Sequence, residues 1–333
     1  MKIWSNMPEL GAYLSTRKDI QHADLPSLPT IASMVRWVRG LSETDLLLVN
    51  TDATLTLRLA AASIIAQAKL PLVSLDCLLG LPPTTAMARL ATYLKKILLA
   101  RVDHFLLPQR DTQGLERLFH LNGRTSYFPF KVNAWQALQS GDLTVVDEGY
   151  VIHAGRTMRD IRTFIEAMRI TKLPTVLLYQ DQDTGREHGT SWTLSALPEN
   201  VVAVKHNGDP RSYQEYLARA RVIVVAIESH VVTSAGISTI LDGIGMGKCV
   251  VATDCPAVRG VFTDEIAVVP ANDSTALGAT VLKLFQDEHE RDELAMRAHR
   301  AAGQFGGTER YLRDIVDFLS SRFGASASVS TVE

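Results

Sequence analysis

The sequence predicts an α/β protein of two domains, each built on a doubly wound parallel sheet, and three observations support this fold class. The chain has 333 residues, more than the roughly 250 to 300 at which a single core stops growing. Hydrophobic residues make up 46% and charged residues 21%, which is enough apolar material for buried cores. Short apolar runs alternate with helix-length segments, a pattern typical of parallel strands buried on both faces.

Ten short apolar runs predict the strands. They are DLLLVN at 45–50, LPLVSL at 70–75, VDHFLL at 102–107, TSYFPF at 125–130, GYVIHAG at 149–155, PTVLLY at 174–179, NVVAVK at 200–205, RVIVVAI at 221–227, KCVVAT at 248–253 and IAVVP at 266–270. Helical patterns lie between them, for example over 54–68 and 84–99. The first 40 residues are interrupted by Pro8, Pro26 and Pro29, and the usual opening strand with a glycine-rich turn is not recognisable there.

A polar segment at 139–149 separates two series of strands. We therefore expect an N-terminal Rossmann-like domain over 1–145, a C-terminal one over 146–323 that ends in an amphipathic helix from Glu309 to Phe323, and a flexible tail over 324–333. Parallel sheets bind ligands outside the carboxyl ends of their strands, so we expect a ligand in a deep cleft between the two domains.

Charge and cysteine content exclude several classes of protein. Lys and Arg number 34 against 36 Asp and Glu, so no basic field attracts nucleic acid. The three cysteines have no metal-ligand spacing, which favours reduced thiols. The N-terminus lacks the apolar run of a signal peptide, and no window reaches the ~18 apolar residues of a membrane span. We expect a cytoplasmic protein that uses no metal and no cofactor.

The segment Thr233–Thr253 carries the most chemical information. It runs from a strand end through a glycine turn into a helix and then into the next strand, and Ser234, Ala235 and Gly236 open that helix. The backbone N–H groups of Gly236 and Ile237 are then expected to point unpaired at a ligand, with Ser238 in the first helical turn. A helix N-terminus of this kind favours anions such as phosphate.

A second strand, turn and helix pattern covers 150–162. After Gly155, the cations Arg156 and Arg159 are expected on the cleft side of the sheet, where they would clamp a diphosphate and neutralise charge as the nucleotide leaves. The alternative is a surface salt bridge with Asp160. The loop after the next strand but one places His206 and Asn207 near the nucleobase, although a loop histidine is more often simply solvated.

Two acids directly follow strands of the N-terminal domain. Asp76 precedes the segment 77–83 and is the preferred acid on the acceptor side, and an Asx turn or helix cap is the alternative. Asp52 precedes a helix and is expected to be its N-cap.

Together with the segment 270–287, the segment 233–253 resembles the C-terminal half of the family 4 glycosyltransferases, which have the GT-B fold of two Rossmann-like domains facing a cleft. The resemblance covers roughly residues 145–320. In that family two acidic residues flank the helix start; one contacts the donor hexose and the other the ribose hydroxyls. The resemblance implies that Asp242 binds the ribose. The other position falls on Ala235, so sugar recognition must come from elsewhere.

The resemblance implies a glycosyltransferase of the hexosyltransferase class, acting in polysaccharide biosynthesis. It would move a sugar from a UDP- or GDP-sugar to a glycan, lipid-linked or small-molecule acceptor, and a retaining mechanism is expected. Two alternatives stay open: a catalytically silent binding subunit, and a nucleotide-sugar epimerase. A nicotinamide dehydrogenase is disfavoured because no Gly-x-Gly-x-x-Gly run follows a strand.

The segment 85–101 mixes cations with apolar residues. Arg89, Lys95, Lys96 and Arg101 alternate with Leu, Ile and Tyr side chains. Such a helix can rest on an anionic bilayer, here at the inner face of the membrane, although most helices of this composition are solvated on one side. Peripheral membrane contact is therefore a further expectation.

Overall fold

The computed structural model describes residues 1–17, 19–79, 86–121, 123–181, 188–190 and 197–324, with the backbone alone at 86–89. The predicted tail beyond Gly324 and most of the segment 77–83 lie outside the described residues. The chain divides into two compact units, Met1–Phe128 with Leu312–Glu333, and Pro129–Tyr311. This division differs from the predicted boundary at 145, and the last helix begins in the second unit and ends in the first.

The first unit is built on a six-stranded parallel sheet whose spatial order is β2-β1-β3-β4-β5-β6. Its strands are β1 (Lys2–Ser5), β2 (Gln21–Asp24), β3 (Asp45–Asn50), β4 (Leu72–Leu75), β5 (His104–Leu107) and β6 (Thr125–Tyr127). Its helices are α1 (Pro8–Leu14), α2 (Ile31–Arg39), α3 (Ala53–Ala66), α4 (Ala86–Leu99) and α5 (Gln113–Phe119). Every residue of β4 and β5 is buried, as expected for central strands of a parallel sheet.

The second unit also contains a six-stranded parallel sheet, in the order β12-β11-β10-β7-β8-β9. Its strands are β7 (Val151–Ala154), β8 (Thr175–Tyr179), β9 (Val201–Lys205), β10 (Val222–Val225), β11 (Cys249–Thr253) and β12 (Ala267–Val269). The helices are α6 (Trp135–Gln139), α7 (Ile161–Thr171), α8 (Pro210–Arg219), α9 (Ile237–Gly245), α10 (Ser274–Gln286), α11 (Glu288–Phe305) and the shared α12 (Thr308–Phe323).

The apolar runs of the second sheet face two cores. Alternate strand residues such as Ile152 and Val225 pack in one core with α9, whereas Val151 and Val224 pack in the other with α7. Strands buried on both faces explain why the runs are almost continuously apolar. The predicted α/β class is confirmed, and a strand lies within each of the ten predicted runs. In the described residues, no helix is long and apolar enough to cross a bilayer.

The region that the sequence left unassigned supplies an opening strand after all. β1 is only four residues long, and it is followed by Asn6 instead of a glycine-rich turn. Beyond β1, the side chain of Asn6 takes over the hydrogen bonding to β3. Its Oδ1 accepts from the backbone N–H of Asn50 at 2.7 Å, and its Nδ2 donates to the Asn50 carbonyl at 2.9 Å. β1 reads KIWS, with two apolar residues between polar ones, so it lacks the apolar run by which the other strands are predicted.

Candidate functional site

A topological switch point lies at the centre of the second sheet. β7 and β10 are neighbours, but the chain continues from β7 to β8 on one side and from β10 to β11 on the other. α/β proteins commonly bind ligands at the carboxyl edge of the sheet beside such a strand pair. Here the loops after β7 and β10 are joined by backbone hydrogen bonds, from Asp160 N to Ala226 O at 3.0 Å and from Glu228 N to Met158 O at 3.0 Å.

Arg159 occupies this switch point with its side chain buried. Its Nε donates to the carbonyl of Ala154 at 2.9 Å, Nη1 donates to the carbonyl of Thr157 at 2.9 Å, and Nη2 donates to Oγ1 of Thr239 at 3.0 Å. Its backbone N–H donates to Oγ1 of Thr190 at 2.9 Å. The guanidinium is therefore held in one orientation, and its burial contradicts the alternative of a surface salt bridge.

Gly155 makes room for this guanidinium. Its backbone φ is +104°, and a Cβ atom there would lie 2.1 Å from Nη2 of Arg159. Only glycine allows both the left-handed backbone and this close approach. The packing of Arg159 against Gly155 therefore requires a glycine four positions before it.

The positive charge of Arg159 has no acidic partner within the described part of the chain. Asp160 does not pair with it, since its carboxylate caps α7 by accepting from Thr163 N at 3.0 Å. A guanidinium carries five N–H donors, and the three acceptors above leave one on Nη1 and one on Nη2. A buried charge without a partner is costly, and a bound anion would compensate it.

A neighbouring histidine adds no second charge. His153 is buried, stacks on Phe164 and hydrogen-bonds through Nδ1 to the carbonyl of Val224 at 2.9 Å. Burial, and next the charge of Arg159, lower the pKa of His153 to about 3. The imidazole is therefore neutral at physiological pH.

The N-terminus of α9 meets Arg159 through Thr239. Gly236 is the N-cap in a left-handed conformation with φ +95°, and no side chain caps the helix. The N–H of Ile237 was predicted to be free, and this prediction is wrong because the group donates to Ser234 O at 3.1 Å. The N–H groups of Ser238 and Thr239, in the first turn, have no acceptor among the described residues. The anion-favouring end of the helix dipole is therefore open beside a buried cation.

Tyr213 and His206 extend this cluster. The hydroxyl of Tyr213 is 2.8 Å from Oγ1 of Thr239, and its ring makes an edge contact with His206. Nδ1 of His206 accepts from Gly208 N at 3.0 Å, so in the neutral imidazole Nε2 carries the hydrogen. That Nε2 is buried and has no hydrogen-bond partner in the described residues, so it could donate to a bound ligand.

The other predicted donor-site residues differ in exposure. Arg156 is exposed, and its Nη1 lies 3.5 Å from Oε1 of Gln180. Asn207 is exposed, and its Oδ1 accepts from Asp209 N at 3.0 Å in a local turn. Ser234 and Ala235 are buried at 4% and 3% exposure. The side chains of Ser234 and Ala235 are therefore buried, and backbone N–H groups are the part of the α9 start that could contact a ligand.

Asp242 lies in a different environment from the one predicted. It is 2% exposed, its Oδ1 accepts from Ala134 N at 3.0 Å, and its Oδ2 accepts from Nδ2 of Asn133 at 3.4 Å. Burial raises the pKa of its carboxyl to about 6. These contacts favour a structural role for Asp242 at the start of α6, so the ribose contact stays a prediction that the burial does not support.

In the first unit, both predicted acids lie at the carboxyl edge of the sheet. Asp52 is the N-cap of α3 and accepts from Leu55 N at 2.8 Å, as predicted. Asp76 directly follows β4, is half-buried, and has a left-handed backbone with φ +49°. Asp and Asn adopt this conformation more readily than other residues apart from glycine, so the backbone does not by itself mark Asp76 as functional. Its role as the acid on the acceptor side stays a prediction.

Sequence reasoning missed Thr239, Tyr213 and Thr190, which hold Arg159 or bridge it to the helix start. Thr239 stands on the helix that was predicted, but its orientation toward Arg159 depends on how α9 packs over the sheet. Tyr213 comes from α8 and Thr190 from a separate loop. No spacing in the sequence relates these residues to Arg159.

Solved glycosyltransferases share this architecture. Alr3699/HepE from Anabaena, crystallised with UDP and glucose, matches with a TM-score of 0.65 and 18% identity over 96% of this chain and 100% of that one. Sucrose-phosphate synthase (tll1590) from Thermosynechococcus elongatus matches with a TM-score of 0.68 and 14% identity over 98% and 100%. A glycosyltransferase from Rickettsia africae ESF-5 matches with a TM-score of 0.61 and 13% identity over 98% and 90%.

These matches confirm the predicted GT-B fold over nearly the whole chain. No protein-family model matches the chain, and no curated protein sequence matches it. At 13% to 18% identity the likeness establishes the fold, and the activity has to be argued from the residues of this chain.

Proposed function

We propose that this chain is a glycosyltransferase that binds a nucleotide-sugar donor through its diphosphate, against Arg159 and the first turn of α9. The observation that carries the proposal is a buried guanidinium without a described acidic partner, beside an uncapped helix start at the switch point of the sheet. A diphosphate would compensate the charge and accept from the open N–H groups.

The same arrangement suits the chemistry of transfer. When the bond between the sugar and the diphosphate breaks, negative charge grows on the leaving phosphate oxygens. Donors that are already oriented stabilise this charge without reorganising, and Arg159 is fixed by Ala154, Thr157 and Thr239. Exposed Arg156 would contribute a weaker, screened attraction.

We propose UDP-glucose as the first donor to test, because the similar Anabaena protein HepE was crystallised with UDP-glucose. His206, with its buried Nε2–H, is the candidate contact to the nucleotide from the loop after β9. On the acceptor side we propose Asp76, whose carboxylate would orient or deprotonate an acceptor hydroxyl. The acceptor class and the retaining outcome belong to the same proposal.

Calorimetric titration with UDP, GDP and inorganic pyrophosphate tests the donor site, and release of glucose from UDP-glucose tests turnover. We expect UDP and pyrophosphate to bind to the wild type, and Arg159→Met to weaken both. Arg156→Ala is the matched control, since it removes an exposed cation from the same loop. Binding of neither ligand to the folded wild type would exclude the diphosphate site.

A second candidate is a binding subunit that holds the nucleotide sugar without turning it over. Ala235 favours it, because the resemblance to family 4 places there an acid that contacts the donor hexose, and Ala235 is 3% exposed. UDP-glucose bound with no hydrolysis and no transfer would support this candidate. A change of sugar configuration without transfer would instead indicate an epimerase.

A further inference from the structure

α4 carries an apolar face that is turned to solvent. Leu90, Tyr93, Leu94 and Ile97 are 56%, 62%, 52% and 46% exposed. Their spacing of i, i+3, i+4 and i+7 puts them on one side of the helix, the side that a soluble protein normally buries. Leu99, at the end of the helix, is buried and attaches α4 to the core of the first unit.

The last turn of α3 also carries exposed apolar side chains. α3 packs beside α4, and its Ile64 and Ile65 are 43% and 55% exposed. The ends of the two helices are fixed together, because Nη2 of Arg101 donates to the carbonyls of Ala68 and Leu70 at 2.9 and 2.7 Å. We name as the α4 surface the side chains of Ile64, Ile65, Leu90, Tyr93, Leu94 and Ile97.

The charge around the α4 surface is mainly positive. From Asp52 to Asp103 the sequence holds six cations and three acids, in a chain whose net charge is −2. Of the acids, Asp52 caps α3 and Asp103 is paired with Arg101. The cations are Arg58, Lys69, Arg89, Lys95, Lys96 and Arg101. Arg101 is paired with Asp103 and Arg58 donates to a backbone carbonyl, whereas Lys69 is exposed and Lys95 and Lys96 are half-exposed.

The neighbouring helix α5 does not cancel this charge. Oε1 of its Glu116 accepts from Thr112 at 2.9 Å and from Thr125 at 2.8 Å, so this acid is held by its own unit. Arg117, on the same helix, is exposed, and His120 at its end lies 3.3 Å from Nζ of Lys96. The border of the α4 surface is therefore basic.

We propose that the α4 surface docks this chain on an anionic lipid bilayer. Apolar side chains of a helix lying in the interface enter the boundary between headgroups and acyl chains, while lysines along its side attract anionic headgroups. Tyr93 suits this depth, since its ring is apolar and its hydroxyl polar. A second copy of this chain fits less well, because a symmetric contact would set the lysines of one copy against those of the other.

Co-sedimentation of the full chain with vesicles tests the proposal, using phosphatidylcholine alone and phosphatidylcholine mixed with phosphatidylglycerol. We expect binding to the mixed vesicles that weakens with salt. Lys95→Gln with Lys96→Gln should lower the partition coefficient about 25-fold, since each lysine near such a surface contributes about fivefold. Tyr93→Ser with Leu94→Ser should lower it at least about tenfold.

Matched controls come from exposed helical positions of the second unit. Ile170→Ser with Met296→Ser controls for lost apolar surface, and Arg297→Gln with Arg300→Gln controls for lost charge; neither pair should change vesicle binding. Because all these side chains are exposed or half-exposed, the variants should unfold close to the wild-type temperature. The charge pair and the apolar pair test the surface independently if one of them fails to fold.

Four results would overturn the proposal. They are the absence of binding to mixed vesicles, equal binding to both kinds of vesicle, unchanged binding of the folded α4 variants, and a dimer in light scattering that these variants convert to a monomer. The last result would assign the α4 surface to contact between copies. The vesicle experiments do not use nucleotide binding. A failure of the membrane proposal can therefore be distinguished from a failure of the proposed activity.

Discussion

Replacing Arg159 with methionine tests the anion site directly, because it removes the guanidinium and keeps an unbranched apolar stem. In the wild type three N–H groups of this side chain donate within the protein, at 2.9, 2.9 and 3.0 Å. The other two have no acceptor among the described residues and are the ones we expect a phosphate to use.

The expected loss follows from these two bonds. A hydrogen bond to a charged group contributes roughly 1.5 to 3 kcal/mol, so two of them contribute at least about 3 kcal/mol. The dissociation constant for UDP should therefore rise at least about a hundredfold. Pyrophosphate should weaken by a similar factor, since neither bond involves the nucleoside.

Thermal unfolding gives a second readout. A ligand at about 100 times its dissociation constant adds about 2.7 kcal/mol, which for a unit of this size raises the unfolding temperature by roughly 5 to 10 °C. Arg159→Met should lose this shift at the same ligand concentration. Its own stability should stay within about 2 kcal/mol of wild type, because removing an uncompensated buried charge offsets the lost hydrogen bonds.

Arg156→Ala should bind UDP less than about tenfold more weakly, as expected for an exposed and screened cation. If Arg159→Met is folded and binds both ligands with wild-type affinity, the buried cation is not an anion site and the reasoning is refuted. If Arg156→Ala causes the larger loss, the phosphate lies at the exposed end of the loop instead.

Three further predictions concern single residues. Gly155→Ala should lower the free energy of unfolding by about 1 to 3 kcal/mol in chemical denaturation, because of its φ of +104° and the clash with Arg159; Gly303→Ala, in open space on α11, should not destabilise. Burial raises the pKa of Asp242 from 3.8 to about 6, so its contribution to stability is complete below pH 3.8 and is lost as the pH rises through about 6. Asp242→Asn should remove this part of the pH profile, up to about 3 kcal/mol, and a selective loss of UDP over pyrophosphate affinity would restore the ribose contact. Asp76→Asn should depress transfer far more than UDP affinity, and a parallel loss of both would contradict its role on the acceptor side.

The sequence predicts the frame of this protein well because buried parallel strands leave continuous apolar runs. β3 has the predicted bounds of Asp45 and Asn50, and the Asp52 cap follows as expected. The sequence does not predict β1, whose four residues end on the side chain of Asn6. Only Ile3 and Trp4 of that strand are apolar, so it lacks the apolar run that marks equally short strands such as β4 and β5.

Side-chain direction is the part of the site that the sequence could not supply. Arg156 and Arg159 are three residues apart and were predicted as equal members of a clamp, yet one is exposed and the other is 3% exposed. The difference in exposure arises from Gly155. Because this residue has no Cβ, the guanidinium of Arg159 can fold back over it. Burial of this kind depends on Thr239, 80 positions away in the chain.

The second unit offers a donor few groups that could recognise its sugar. Ala235 stands where the family 4 resemblance implies an acid that contacts the hexose, and the carboxylate of Asp242 accepts from Asn133 and Ala134. The cation of Arg159 and the open N–H groups of α9 are left, and both of them recognise negative charge rather than the shape of a sugar. We therefore propose that the β7–β10 switch point recognises the diphosphate of the donor, and that other residues recognise the sugar.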